Sequence, residues 1–149
     1  MRNKKGFTLI ELLVVIAIIG LLATLAVVAL QNAREKSRDA KRVSDVKQLQ
    51  TALDLYFSDQ NSYPVQDVQL GKDAATDVLC STGGFVGTCA ATDTSYMDRV
   101  PADPTDVAPN TYMYSGTQTT YTITFELEGP SGGLPGETTL TASPAGIQE

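Results

Sequence analysis

The feature that most constrains this chain is an apolar run over residues 7–30, in which Glu11 is the one charged residue among 24 positions. At about 1.5 Å per residue, a helix of this length extends roughly 36 Å, whereas a hydrocarbon core is about 30 Å thick. The run therefore predicts a membrane-spanning helix. A cleaved secretory signal ending near the permissive Val27-Val28-Ala29 is the alternative, but its apolar part would be only about 7–15 residues long.

Glu11 needs an explanation within such a span. An acidic side chain costs about 2.5–3.5 kcal/mol at the centre of a bilayer and tends to mark a function. Glu11 lies only one turn into the predicted helix, where the helix dipole and the nearby headgroups lower that cost. The alternative interpretation is therefore that Glu11 is tolerated at this position and has no function.

The first residues form a short basic leader that ends at Gly6 and is followed by the string FTLIELLVVIAIIG over residues 7–20. This segment closely resembles the leader and N-terminal helix of type IV pilins and of the pseudopilins of type II secretion. The resemblance implies that a membrane-embedded prepilin peptidase cuts after Gly6 on the cytoplasmic side and methylates Phe7. It also implies that Glu11, the fifth residue of the mature chain, meets the N-terminal amine of a neighbouring subunit in a filament.

Elementary geometry is compatible with that pairing. Cleavage after Gly6 would free an α-amine at Phe7, and Glu11 lies four residues further on the same helix face. The best-attested use of a buried ion pair is to fix register between partners. Such a pair would therefore set each new subunit against the previous one.

Cleavage on the cytoplasmic side implies that the C-terminal part is exported, but the charges that flank the span predict the opposite orientation. Three basic residues precede the span, and five follow it between residues 34 and 42, so the positive-inside rule alone would leave the C-terminal part in the cytoplasm. Three features favour its export: the peptidase-type leader, the length of the C-terminal domain, and a cysteine pair that suits an oxidising compartment.

Composition excludes several classes of function. The chain has no histidine and two cysteines, so it cannot form a Ser-His-Asp triad, a Cys-His pair or a four-ligand Cys/His zinc site. We therefore expect that the protein is not an enzyme. From residue 48 onward, two basic residues oppose thirteen acidic ones, and an acidic head of this kind repels nucleic acid.

Beyond the span, the helical pattern continues with an apolar stripe and should end near residues 59–62, before Pro64. The expected stripe consists of Ala33, Ala40, Val43, Val46, Leu49, Leu53, Tyr56 and Phe57. Alternating residues near Tyr121 then predict strands that this stripe covers. The fold class is thus α+β, a long helix whose C-terminal half packs on a small antiparallel sheet. The expected segments are a leader (1–6), a membrane and polymerisation helix (7–30), an amphipathic helix (31–60), an irregular αβ loop (61–110), a three-stranded sheet (111–142) and a loose tail (143–149).

The loop region holds two candidate sites. Cys80 and Cys89 enclose a glycine-containing loop, which predicts a disulfide in an oxidising compartment, with two unpaired buried thiols as the alternative. Four aspartates lie close enough in sequence to surround a cation, and the resemblance to major pseudopilins implies calcium in this region: Asp93, Asp98, Asp103 and Asp106. Their spacing does not fit the EF-hand pattern, so solvated turn residues are the alternative and no cofactor is expected.

The predicted function is structural: a subunit stored in the bacterial inner membrane and polymerised through its N-terminal helix into an extracellular or periplasmic filament. Expected partners are copies of itself, related pilins, the prepilin peptidase, the assembly machinery and membrane lipid. Tyr112-Met113-Tyr114 resembles the Tyr-x-Tyr segment of pseudopilins, but the Trp-Gly that often follows it there is absent, because the chain has no tryptophan. This absence and the threonine-rich sheet, which could face solvent on a long filament, favour a type IV pilin. The alternatives are a type II secretion pseudopilin and a single-pass anchor that displays a binding domain.

Overall fold

The computed structural model describes residues 6–72, 74–105 and 111–149. A single long helix, α1 (Leu9–Gln60), precedes the strands, and the chain divides into two compact units, Met1–Glu35 and Lys36–Glu149. The strands are β1 (Asp67–Gln69), β2 (Val78–Cys80), β3 (Gly84–Val86), β4 (Ser95–Met97), β5 (Met113–Gly116), β6 (Tyr121–Glu126), β7 (Thr139–Ser143) and β8 (Gly146–Gln148). This architecture confirms the α+β class.

The first unit contains the apolar part of α1. Its large hydrophobic side chains are between 47% exposed, at Val15, and 90% exposed, at Phe7. The helix is long and apolar enough to cross a membrane by length and composition. Within this unit the helix therefore has no protein core to cover, as expected of a segment that lipid or other copies must bury.

The C-terminal end of α1 follows from local chemistry. Asn61 adopts a left-handed conformation with φ of 54°, and its backbone N–H donates to the carbonyl of Phe57 at 2.8 Å. Asparagine is among the few residues that accept this conformation as a helix cap. Pro64 then prevents the helix from resuming, so the helix ends within the predicted range.

The second unit, which we call the head, is built on a five-stranded antiparallel sheet in the order β1-β5-β6-β7-β8. The predicted alternation along β6 is confirmed, with Tyr121, Ile123 and Phe125 buried and the residues between them half-buried. These side chains share one hydrophobic core with the buried stripe of α1, namely Val46, Leu49, Ala52, Leu53 and Tyr56. Register is strongly specified here, because a slip of one residue would turn the apolar face outward.

Two expectations about this sheet were wrong. The tail over residues 143–149 is not loose, because β8 pairs with β7 and aligns Ile147 with Ala142. The sheet also has five strands where three were expected, since β1 pairs with β5 along its other edge. Strands of three residues are too short to display an alternating pattern, so they form only because their backbone pairs with a neighbouring strand.

The region 61–110 was expected to be irregular but contains a second sheet, in the order β3-β2-β4. A disulfide joins Cys80 to Cys89, with 5.6 Å between their Cα atoms. Gly84, at the start of β3, has φ of +69°, and a Cβ there would lie 2.6 Å from the side-chain oxygen of Gln66. A side chain at this position would therefore be both strained and obstructed.

The helical stripe also differs from the prediction at its N-terminal end. Ala33 and Ala40 are exposed, whereas Asp39, Arg42 and Asp45 are buried. Hydrophobic periodicity could not identify these three positions, because their side chains are buried through ion pairs and hydrogen bonds and not through apolar contact.

Candidate functional site

The predicted processing site lies in open space at the start of α1. A Cβ built on Gly6 would meet no atom within 4 Å, and the side chain of Phe7 is 90% exposed. Nothing in the described fold therefore requires a glycine at position 6. If a small residue is needed there, the requirement comes from a partner that binds this segment.

Glu11 takes part in a capping box with Thr8. The backbone N–H and the hydroxyl of Thr8 both donate to Oε2 of Glu11, at 2.8 and 2.7 Å, and the N–H of Glu11 approaches the Thr8 hydroxyl at 3.3 Å. The Thr-x-x-Glu pattern satisfies backbone donors that the first turn of a helix leaves unpaired. The carboxylate is thereby turned back toward the chain start, close to where cleavage would leave an amine.

This local role of Glu11 was missed by the sequence analysis, although the pattern that reveals it was present. A threonine followed three residues later by a glutamate, just before an apolar run, is a capping-box signature. The capping box gives the charge a structural reason to be at position 11. It does not remove the case for a role between subunits, since a capping box forms equally well with an uncharged glutamine.

A second arrangement of charges lies at the N-terminal end of the head, around Arg42. The guanidinium is fully buried and donates to Asp103 at 2.7 and 3.1 Å, and to Asp39 and Glu128 at 2.7 Å each. Arg38 donates from Nε to Glu128 at 2.7 Å and pairs with its second oxygen through Nη2. We call these five residues the Arg42 cluster.

The Arg42 cluster holds two loops against the helix. Asp39 accepts hydrogen bonds from the backbone N–H groups of Glu128 and Gly129, at 3.0 and 2.9 Å. Asp103 accepts from the N–H and the hydroxyl of Thr105 at 2.8 and 2.7 Å. The two carboxylates thus fix the loop that follows β6 and the loop that follows Val100, and Arg42 neutralises both of them.

Ionisation within the cluster follows from these contacts. Burial works against the charge of Arg42, but its hydrogen bonds, first of all to Asp103, raise its pKa above the ordinary value. Burial also acts to raise the pKa of Asp103, yet hydrogen bonds from Arg42 and Thr105 outweigh it and the pKa is lowered. The hydrogen bond from Arg38, supported by Arg42, lowers the pKa of Glu128 to about 2. All these groups remain charged at neutral pH.

The three calcium candidates that the structure describes are not gathered around one point. Asp103 is held by Arg42, Asp93 accepts from a threonine hydroxyl and a backbone amide, and Asp98 accepts from a serine hydroxyl at 2.6 Å. Asp106 lies outside the described residues. Among the described residues, no group of three or more carboxylate, cysteine or histidine side chains could hold a metal ion.

The Arg42 cluster was also missed from the sequence. The spacing of Asp39 and Arg42 is that of an i,i+3 pair, which is ordinarily a weak surface contact. Their burial depends on carboxylates 61 and 86 residues away, on Asp103 and Glu128. Only the tertiary structure brings these residues together.

Comparisons with known proteins cover both units. Residues 1–27 match the model of the prokaryotic N-terminal methylation motif, and residues 29–140 match that of type II secretion system (T2SS) protein G. No solved structure matches the chain.

Similar proteins bear the name type II secretion system core protein G. The one from Aeromonas hydrophila is 40% identical over 103 residues, which cover 69% of this chain and 68% of the relative. The one from Vibrio cholerae is 33% identical and covers 89% of this chain and 87% of its own length. The one from Pseudomonas aeruginosa is 32% identical, with 89% of each chain covered.

Proposed function

This chain belongs to the type II secretion system protein G family, and we propose that it is a pseudopilin that builds a pilus-like filament of a secretion machine. Its precursor is stored in the cytoplasmic membrane, cut after Gly6 and methylated at Phe7. The mature chains then polymerise through residues 7–30. The resemblance inferred from residues 6–20 is confirmed by the match over residues 1–27.

The comparisons also bear on the two filament classes raised by the sequence. A subunit of a pilus-like filament was predicted, with a type IV pilin favoured over a pseudopilin because the chain lacks tryptophan. The match over residues 29–140 and the names of the relatives favour the pseudopilin. The missing Trp-Gly therefore does not by itself assign this chain to the type IV pilins.

The observation that carries the proposal is the unpartnered apolar helix that directly follows Gly6. Its large side chains are about half exposed or more along the whole run, which is unfavourable in water at roughly 25 cal/mol per Å² of apolar surface. Lipid can cover this surface in the precursor, and helices of neighbouring subunits can cover it in a filament. A subunit that moves between these two environments needs no apolar partner of its own.

The length of the head supports its export despite the flanking cations. The positive-inside rule applies to short segments, whereas long domains translocate largely regardless of the charges beside the span. The head comprises residues 36–149, so the five cations between residues 34 and 42 do not oppose a periplasmic location.

Intact mass of the protein purified from the cell envelope tests processing. We expect a chain that starts at Phe7 and carries one added methyl group. Recovery of the chain from Met1, or of a product that starts at Leu30, would contradict the proposal. Deletion of the gene should also leave the exported enzymes of the source bacterium in its periplasm, whereas unchanged export would contradict a role in secretion.

Thiol labelling tests the compartment. In chains recovered from the envelope and denatured without reductant, Cys80 and Cys89 should not react, since a periplasmic head forms their disulfide. Full labelling of both would indicate a cytoplasmic head. Monomeric, uncleaved protein would instead favour the single-pass anchor of a binding domain.

A further inference from the structure

In the head, the exposed face of α1 lies opposite the buried stripe, and we call it the outward face. Its two ends differ in side-chain size and in charge. Near Lys36 the central positions are small and exposed, at Ser37 and Ala40. Five turns further along, the corresponding positions hold Leu55, which is 54% exposed, and Ser58. We call the first the basic end and the second the acidic end, because of the charges on their edges.

The edges of the two ends have opposite charges in matching positions. Lys36 and Lys41 lie on either side of the basic end, and Asp54 and Asp59 lie on either side of the acidic end. The members of each pair are five residues apart, and the two pairs are 18 residues apart. Because 18 residues make about five turns of an α-helix, the two ends face the same direction about 27 Å apart.

These four charges are exposed, and within the described part of the chain none of them forms an ion pair. Lys41 acts electrostatically on the buried Asp45 one turn away, but no carboxylate among the described residues forms an ion pair with it. The cations that do have partners, Arg38 and Arg42, belong to the Arg42 cluster. The two ends of this face therefore offer two positive and two negative groups to something outside the chain.

We propose that the acidic end of one copy docks on the basic end of a second copy, with the two helices parallel and displaced by about 27 Å. Parallel helices that face each other bring opposite edges together, as at the e and g positions of a coiled coil, where partners are five residues apart. In this register Lys36 meets Asp59 of the next copy, and Lys41 meets Asp54. Leu55 then packs on Ser37 and Ala40.

The inference rests on the proposed function and adds the register of its subunits. A contact between two different ends of the same surface is head-to-tail, and such contacts produce open filaments when they do not close into a ring. The small side chains at the basic end leave room for the leucine, and the charged edges exclude displacements that place like charges together.

Charge reversal in the full-length chain tests the register, in cells that assemble the wild-type filament. Lys36→Asp with Lys41→Asp should lower the yield of sheared filaments about tenfold, because two attractive pairs become repulsive. Asp54→Lys with Asp59→Lys should lower it similarly. The variant with all four changes should regain most of the wild-type yield, and its net charge is unaltered.

Lys47→Glu is the matched control. Lys47 is exposed on the same face, but the edge positions that this register sets opposite it are Arg34 and Leu70, neither of which is a carboxylate. Its reversal removes no attractive pair and should not lower the yield. Loss of filaments in this variant as large as in the Lys36/Lys41 variant would show that any charge change on this face is harmful and would overturn the specific pairing.

Crosslinking provides an independent measurement. In a chain with Ala40→Cys and Leu55→Cys, oxidation of intact filaments should produce a ladder of covalent multimers, whereas each single variant should not. Two results would overturn the inference: absence of the ladder, or failure of the fourfold variant to recover. If only the Lys36/Lys41 reversal is harmful, the basic end serves anionic lipid instead. Absence of filaments from the wild-type chain would contradict the proposed function itself.

Discussion

The two units of this chain place their polar and apolar groups in opposite ways. From Phe7 to Leu30, large apolar side chains are exposed and the single carboxylate, Glu11, is satisfied within its own helix turn. In the head, Arg42 is completely buried and contacts three carboxylates. The first unit exposes apolar side chains, which proteins normally bury, and the head buries a charged side chain, which proteins normally expose.

The difference shows that each unit is adapted to a different surrounding medium. Exposed apolar surface is stable only where water is absent, which requires lipid or neighbouring helices. A buried guanidinium is tolerable only where several carboxylates compensate for its lost hydration. Variants that alter one unit should consequently leave the properties of the other intact, and this separation can be tested.

The largest expected effect is on the first unit alone. Gly6→Glu should abolish maturation, because it places a bulky charge at the proposed cleavage site, where we expect the peptidase to need a small residue, and the full-length precursor should accumulate in the membrane. Gly6→Ala is the control, since the position is open and alanine remains small. Intact mass measures both. Normal cleavage of the glutamate variant would refute the role of Gly6, and unfolding of its head would refute the separation of the units.

The second expected effect is confined to the head. Arg42→Met should lower the free energy of unfolding by about 3–5 kcal/mol, because it leaves buried carboxylates without their cation. Lys41→Met removes an adjacent exposed cation and should change stability by no more than about 0.5 kcal/mol. Thermal unfolding, followed by circular dichroism at a wavelength where β-sheet dominates the signal, measures the difference in stability. Equal stability of the two variants would show that the Arg42 cluster does not stabilise the head.

The third expected effect separates the capping role of Glu11 from its proposed role between subunits. Glu11→Gln keeps the capping box but removes the charge, so it should reduce filament yield while leaving the membrane pool and the head unchanged. The cost of leaving the amine at Phe7 unpaired in a filament is about 3–5 kcal/mol. Thr8→Ala removes the cap and keeps the charge, at a cost of about 1 kcal/mol. A larger assembly defect in Thr8→Ala than in Glu11→Gln would show that capping, and not the charge, is what matters.

The smallest expected effect is a loss of head stability in acid. The pKa of Glu128 falls from 4.5 to about 2 on folding, and that of Asp103 is also lowered. A lowered carboxyl pKa contributes stability that is present above the unfolded pKa and is lost as the pH falls through the folded pKa.

As the pH falls from about 4.5 to about 2, we therefore expect protonation of Glu128 to lower the free energy of unfolding of the head by about 2 kcal/mol. This figure already allows for the partial exposure of Glu128, which weakens its ion pairs. Asp45 acts in the opposite direction, since burial raises its pKa. The measurement is unfolding as a function of pH. Glu128→Gln should flatten the slope in this window, and an unchanged slope would show that Glu128 is not responsible.

Local patterns were sufficient for the parts of this protein that depend on neighbours along the chain. The long apolar helix follows from a continuous apolar run, and its end near Gln60 follows from Asn61 and Pro64. The buried face of β6 follows from strict alternation. The processing motif is likewise a contiguous string. In each case the physical cause acts within a few residues, so it can be read without knowledge of the fold.

The tertiary structure decided whatever depends on residues far apart in the chain. β8 and β1 are too short to be recognised alone and exist because the edges of the sheet offer backbone partners. Arg42 looks like a solvated helix charge until Asp103 and Glu128, from distant loops, bury it. Sequence determined which segments could form helix and strand, whereas only three-dimensional packing decided which charges are buried, because burying a charge requires partners that no local pattern contains.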